Sequence, residues 1–279
     1  MPVEFEISDE DIAFAESVLL PEGANFDEER RDFIRSLRTL DIQAVPGSGK
    51  TTALLAKLLA LDRHLAPHTG QGVLVISHTN AAVNEIRNRI GSVCPKLFSY
   101  PNFIGTIQSF VDTFLAIPSF VEKMGFRPSR IDADAYDQAV ANHYSYLPRG
   151  AKNWLNQNSR GSDAITVLQG LRFDASLNIT ASLGGKIKLK SATKSDAYKA
   201  IAGMKAKFFK QGLLHFEDVF WFAEKLLQRD STAMQLLRER FGFVFVDEMQ
   251  DMAEHQHSIL ESIFGPEDQT NTIFQRIGD

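Results

Sequence analysis

Two hydrophobic rhythms alternate along the chain. Ser8 precedes Asp9, Glu10 and Asp11, and Ile12, Phe14, Ala15, Val18 and Leu19 supply one apolar face, which predicts a capped helix reaching about Leu20. Pro21-Glu22-Gly23 ends it. A second helix starts near Asp27 and turns Phe33, Ile34 and Leu37 inward, and Leu40 to Val45 reads as a strand. The following helix holds Leu54, Leu55, Leu58, Leu59 and Leu61 and breaks up between Pro67 and Gly72. Val73-Leu74-Val75-Ile76 is apolar throughout, as in a strand buried on both faces of a parallel sheet. Ser77-His78-Thr79-Asn80 then caps a helix over 81–90, and Phe103-Ile104-Gly105-Thr106 repeats the scheme before a helix with Phe110, Phe114 and Leu115. Phe243-Val244-Phe245-Val246 is another buried run, a helix follows to about Phe264, and Thr272-Ile273-Phe274 opens a last strand. Strands that end in small polar residues before helices predict a parallel α/β sheet with its ligands along one edge.

From about Ala116 to Lys210 the rhythm changes. Pro118, Pro128, Pro148 and Gly150, a polar stretch over 153–163, and an alternating segment from Leu171 to Ile179 facing Lys186 to Lys190 predict a small α+β insertion with a hairpin. Eight lysines lie between positions 186 and 210 against a single acid, Asp196. Lys186, Lys188 and Lys190 alternate with Ile187 and Leu189, so in a strand they share a face. Such a face either guards a sheet edge or contacts a nucleic-acid backbone.

Composition narrows the class. At 279 residues, 44% hydrophobic and 23% charged, the chain can bury a sizeable core in one large or two small domains. No apolar run of membrane length and no signal-peptide pattern occurs, so no membrane association and a cytoplasmic location are expected. The net charge of −5 excludes a protein coated for nucleic acid, and any DNA contact must come from a local patch. Cys94 is the sole cysteine and has no Cys or His at metal-ligand spacing, so it reads as incidental.

The candidate chemistry sits at two of the strand ends. Ala44-Val45-Pro46-Gly47-Ser48-Gly49-Lys50-Thr51-Thr52 is a glycine-rich turn between a strand and a helix. Consecutive N–H groups there can curl around phosphate, with Lys50 reaching the β- and γ-phosphates and the Thr51 hydroxyl on Mg²⁺. Phe243 to Val246 runs into Asp247-Glu248, the second half of an ATP-hydrolysing site. Asp247 would hold Mg²⁺ through a water, and Glu248 would orient and deprotonate the attacking water.

Val244-Phe245-Val246-Asp247-Glu248-Met249-Gln250-Asp251 resembles the Asp-Glu-x-Gln-Asp motif of the UvrD/Rep/PcrA group of superfamily 1 DNA helicases. Ala44 to Thr51 is similar to the A-G-x-G-S-G-K-T of that family, including its non-glycine first position. Ser77 to Ile90 resembles motif Ia, and Gly105 to Phe110 resembles motif Ib. Leu214 to Leu226 resembles the D-F-D-D-L helix, and Gln275 to Asp279 resembles the opening of motif III. The resemblance implies a RecA-like P-loop NTPase domain over 1–115 and 211–279, with an inserted, mostly helical α+β subdomain over 116–210. It implies ATP and Mg²⁺ as cofactors, Gln250 as a γ-phosphate sensor, and DNA contacts at His78, Thr79, Asn80, Thr106 and Gln108.

Departures from the family pattern are equally specific. The adenine-reading glutamine of the family falls at Glu29 or Arg30, which leaves the base preference open. His78 stands in place of a DNA-stacking phenylalanine and Ala81 in place of lysine; His78 either stacks on a base or is only a helix-cap neighbour. Gln108 replaces the motif Ib histidine and can still hydrogen-bond phosphate. Past Gly278-Asp279 the family continues into further DNA contacts and a second RecA-like domain that supplies arginines over the γ-phosphate. The 279 residues are therefore expected to bind nucleotide, hydrolyse it slowly and not unwind DNA. Two functions follow. One is the motor half of a DNA helicase or translocase in repair, recombination or anti-phage defence, acting on single-stranded DNA or DNA with a 3′ tail. The other is a nucleotide-gated, non-motor adaptor that holds a partner such as a nuclease.

Overall fold

The computed structural model describes residues 5–43, 45, 47–65, 71–159, 162–173, 179–182, 195–265 and 272–279. The chain divides into two compact units, Met1–Phe110 with Asp230–Asp279, and Val111–Arg229.

The first unit is built on a five-stranded sheet of β1 (Leu40–Gln43), β2 (Gly72–Ser77), β3 (Phe103–Thr106), β4 (Phe241–Val246) and β5 (Ile273–Gly278). Every neighbouring pair is parallel, in the order β1-β5-β4-β2-β3. β2 and β4, central in the sheet, are buried at every position, as their unbroken apolar runs require. Helix α1 (Asp9–Leu19) starts with a capping box between Ser8 and Asp11. Helix α2 (Glu28–Arg35) is capped by Asp27, α3 (Lys50–His64) follows the glycine turn, and α4 (Asn80–Ile90) is capped by the Thr79 hydroxyl, which accepts the Ala82 N–H at 3.2 Å. One layer of core joins Ile12, Leu54, Leu58, Val75, Phe245 and Ile277. In another, the ring of Phe110 packs on Phe241 and Phe264, and Phe264 on Phe274. Because all five strands point the same way, their C-terminal ends share one edge. The glycine turn, Ser77, Thr106, Asp247 and Asp279 all lie there.

The second unit is mostly helical, with its largest helices at Ile117–Met124, Ala133–Tyr144, Arg149–Asn158, Asp196–Lys210 and Phe216–Arg229. Its core gathers Tyr136, Val140, Leu155, Leu168, Ile201 and Phe208. The described antiparallel pair joins Leu171–Phe173 to Ile179–Ser182. The alternating segment expected to form one arm of a hairpin thus contributes to both arms, and Lys186, Lys188 and Lys190 lie outside the described residues. Inside the unit Lys205 is buried against the Asp218 carboxylate at 2.5 Å and lies over the rings of Tyr136 and Phe209 at 4.1 and 4.9 Å. Asp218 also accepts the His215 N–H at 2.7 Å and donates its own N–H back to the His215 carbonyl, which closes the start of the last helix.

Candidate nucleotide site

The turn between β1 and α3 depends on two glycines. Gly47 has φ +76° and Gly49 φ +82°, a left-handed backbone that would strain any residue with a Cβ. Ala44 and Pro46, the other expected members of the cradle, lie outside the described residues. Ser48 donates its N–H to Val45 O at 3.1 Å, and its own Oγ is buried with no partner among the described residues. An orphaned hydroxyl in a loop at the start of a helix is what an arriving anion can satisfy. Lys50 Nζ donates to Val45 O at 3.3 Å and forms an ion pair with the Asp279 carboxylate at the end of β5. Thr51 sits in the first turn of α3. The Thr52 hydroxyl accepts from Arg89 Nη1 of α4 at 3.2 Å and so ties α3 to α4.

Asp247 directly follows β4, where its N–H donates to Ile76 O of β2 at 2.8 Å and its Oδ1 accepts the Glu248 N–H at 3.1 Å. It is only 1% exposed. Burial first, and the neighbouring Glu248 charge second, push its carboxyl up to about 6, against an opposing pull from the Lys50 ammonium. Glu248 takes φ +55°, the left-handed region, and no other described non-glycine residue does so. Gln250 joins the cluster from the short 3₁₀ turn Met249–Asp251: its Nε2 donates to Glu248 Oε2 at 2.5 Å and its Oε1 accepts the Asp279 N–H at 3.1 Å. Lys50, Asp279, Gln250 and Glu248 therefore form one chain of polar contacts. Among the described residues no group of three or more His, Cys, Asp or Glu could by itself hold a metal ion. Two adjacent carboxylates, one of them buried and pushed toward its neutral form, fit a divalent cation that arrives with phosphates and completes its shell with water.

Of the residues expected to touch DNA, His78, Thr79, Asn80, Thr106 and Gln108 lie at or just after the C-terminal ends of β2 and β3 on the same edge. His78, Thr79 and Asn80 are exposed just after β2. Thr106 stands opposite Ser77 in the β2–β3 register, and its hydroxyl accepts the Ser109 N–H at 3.2 Å. Gln108 is half-buried in the short helix Ile107–Val111 that follows.

Sequence reasoning missed two contacts. Asp279 neutralises Lys50, and no local pattern announces a pair of residues so far apart in the chain. Arg30 grips the loop: its Nε donates to Ser48 O at 3.1 Å and its Nη2 donates to the same oxygen. A pocket of about 100 Å³ opens beside the loop between α2, β1 and β5, lined by Arg30, Phe33, Ile42, Ser48, Lys50 and Ile277 among others. In the family pattern, positions 29 and 30 stand out only by the absence of a glutamine.

The model of the UvrD/REP helicase N-terminal domain matches residues 27–279. The chain is similar to the ATP-dependent DNA helicase PcrA of Bacillus subtilis, 22% identical over 246 residues, which are 80% of this chain and 29% of that protein. It is similar to the ATP-dependent DNA helicase UvrD2 of Mycobacterium bovis, 22% identical over 262 residues, 90% of this chain and 36% of that protein. It is also similar to the Gabija protein GajB of Bacillus cereus, 30% identical over 115 residues, 41% of this chain and 22% of that one. The chain spans about a third of the length of the helicases it matches.

Proposed function

Because the chain belongs to the UvrD/REP helicase N-terminal domain family, we propose that it is the ATP-binding motor half of a DNA helicase or translocase working in repair, recombination or defence against foreign DNA. The observation that supports this most is the meeting of the glycine loop and Lys50 with Asp247, Glu248 and Gln250 on one edge of a parallel sheet. In this reading the N–H groups of residues 47–52 and the Lys50 ammonium bind the phosphates. The buried Ser48 hydroxyl gains the partner it lacks. Thr51 and Asp247 hold Mg²⁺, which neutralises phosphate charge when bound. Glu248 orients the attacking water and takes its proton. Gln250, already bonded to both Glu248 and the Asp279 backbone, senses the γ-phosphate and passes its presence to β5.

His78, Thr79, Asn80, Thr106 and Gln108 then face single-stranded DNA, with Lys186, Lys188 and Lys190 adding backbone charge. Arginines supplied by a second RecA-like domain, where one is present, would add about 10³ to 10⁵ in rate. ATPase measurements with and without single-stranded DNA test the reading. Wild type should show slow turnover, Glu248→Gln should bind ATP with turnover reduced at least about a hundredfold, and Lys50→Ala should lose binding. Turnover unchanged in Glu248→Gln refutes it. Replacing Lys186, Lys188 and Lys190 together should weaken DNA binding and flatten its salt dependence. Unchanged affinity at low salt makes that patch a guarded sheet edge. Nucleotide binding with no hydrolysis even beside a second domain, but with nucleotide-dependent capture of a nuclease, would favour the adaptor.

A further inference from the structure

The second unit carries an aromatic side chain that its own core does not use. Tyr146, in the turn between helices Ala133–Tyr144 and Arg149–Asn158, is 80% exposed. A single exposed apolar side chain is ordinary, but this one stands on a fixed support. Tyr146 donates its N–H to the His143 carbonyl at 3.0 Å, and the next residue, Leu147, donates to the Tyr144 carbonyl at 3.2 Å and is buried in the core of the unit. The His143 ring meets both the Tyr146 ring, at 5.9 Å, and the core ring of Phe208, at 5.8 Å. Lys152 Nζ donates to Ser145 O at 2.7 Å, which ties the turn to the following helix and leaves the ammonium 5.5 Å from the centre of the Tyr144 ring. A ring supported in this way gives up little freedom when a flat partner lies on it.

The charge around that ring has one sign. From Gln138 to Ser162 the sequence contains no aspartate or glutamate, in a chain whose net charge is −5. Arg149, exposed, and Lys152, half-buried, follow Tyr146 closely in the chain. A third cation comes from the helix Asp196–Lys210. There the exposed Lys207 is near enough to His143 to add to the effect of burial, and together they lower the imidazolium below its ordinary value. His143 therefore presents a neutral ring above about pH 7.

An unpaired base needs a flat face to lie on, and the phosphates on either side of it need cations. The turn offers both. A duplex keeps its base faces stacked inside, so the ring is of use only to an open strand. We infer that this turn is a stacking platform for single-stranded DNA, with a base on Tyr146 and the adjoining phosphates on Arg149, Lys152 and Lys207. The platform rests on the DNA-binding part of the function proposed above and is independent of the nucleotide site, since every residue in it belongs to the second unit.

Fluorescence anisotropy of the 279-residue chain with a labelled oligo(dT) strand, and with a blunt duplex of the same length, tests the assignment. Tyr146→Ala should weaken strand binding at least about fivefold, the lower end of what one stacked base contributes. Tyr146→Phe keeps the ring and should bind the strand as wild type does, and duplex binding should change in neither variant. Tyr146 is exposed, so its truncation leaves the core intact. Arg149→Ala and Lys207→Ala should each flatten the salt dependence of strand binding by about 0.7 in the logarithmic slope. Irradiation of strands carrying 5-iodouracil should cross-link them to Tyr146. Strand affinity unchanged in Tyr146→Ala overturns the platform and leaves DNA binding elsewhere on the chain standing, and cross-links confined to residues outside 143–152 do the same. Equal losses for strand and duplex overturn the stacking. Failure of wild type to bind either DNA removes the platform together with the DNA-binding reading.

Discussion

Replacing Lys57 with methionine should remove a pH dependence of stability that this single side chain imposes. Lys57 lies mid-way along α3 with no exposed surface. Its Nζ donates to Ser36 O and to Gln275 Oε1, both at 2.7 Å, and lies 4.2 Å from the centre of the Phe33 ring. No carboxylate pairs with it among the described residues, and burial lowers its ammonium from the ordinary lysine value to about 7. Two acceptors still satisfy the two N–H groups of the neutral amine, so the folded chain accommodates deprotonation.

The sign follows from which state binds the proton. Between about pH 7 and the ordinary lysine value near 10.4 the unfolded chain holds a proton that the folded chain has lost, so stability rises with pH. Below pH 7 the full penalty of the buried charge is present. One proton corresponds to about 1.4 kcal/mol per pH unit, and the partial occupancy near pH 7 leaves a gain of roughly 1.5 kcal/mol from pH 7 to 8.5. The buried thiol of Cys94, pushed up to about 12 first by burial and then by Asp62, works in the opposite direction above about pH 8.5, where an exposed thiol ionises. Urea unfolding at pH 7.0, 7.5, 8.0 and 8.5 should therefore show rising stability in wild type and a flat profile in Lys57→Met. At pH 7 the variant should be as stable as wild type or more so, because an apolar chain replaces a buried charge and the Ser36 carbonyl keeps the Gln275 amide donor at 2.9 Å. Parallel profiles for the two proteins would refute a neutralising Lys57.

Three shorter expectations come from the same contacts. Asp247 must be ionised to hold a cation, so the pH profile of kcat/KM should carry an acid limb near 6, where its carboxyl protonates, instead of near 4; a limb at the ordinary carboxylate value contradicts its burial. Asp279→Asn releases Lys50 from a partly exposed ion pair, and calorimetry should find nucleotide binding tightened about two- to fivefold; weakened binding would show that Asp279 assists the ligand. Asp218→Ala leaves the Lys205 ammonium buried without its partner and removes the acceptor of the His215 N–H, which should cost about 3–5 kcal/mol in chemical denaturation; a loss below about 1 kcal/mol would mean that Lys205 neutralises or escapes.

How legible each part was depended on the range of the interactions that fix it. The parallel sheet was readable because β2 and β4 are continuous apolar runs, a pattern that only strands covered on both faces tolerate. The loop and Asp247-Glu248 stood out in the sequence because the chemistry proposed for them demands fixed residue types at adjacent positions. The Asp279 contact to Lys50 was not, since parallel strands bring together residues that are remote in sequence. Arg30 was visible as a departure from the family, but its hold on Ser48 depends on the approach of α2 to the loop, which periodicity does not specify. In the insertion, Pro118 marked a change of rhythm, yet it sits inside a continuous helical run, directly after a π-helical turn at Asp112–Ala116 in which Ile117 N–H donates to Asp112 O. The hairpin arms were misjudged because alternation gives a strand its faces without giving its partner.

The left-handed backbone at Glu248 explains how two carboxylates adjacent in sequence come to serve different ends. A non-glycine residue in this region costs about 1–3 kcal/mol and persists only where its surroundings impose it. Here β4 fixes Asp247 through the Ile76 carbonyl on one side, and the turn at Met249–Asp251 begins at once on the other, so the reversal has to fall on Glu248 itself. The outcome is a sharp division. Asp247 stays inside the sheet edge, desolvated and pushed toward its neutral form, while Glu248 leaves the strand and is met by the Gln250 amide. Gln250 in turn holds the Asp279 N–H, and Gly278 before it leaves room for that approach, because a Cβ there would stand 2.8 Å from Gln250 Oε1. Lys50 is thus linked by direct contacts, through Asp279 and Gln250, to the carboxylate at the strained turn. The Gln250 side chain is the element that touches both Glu248 and Asp279.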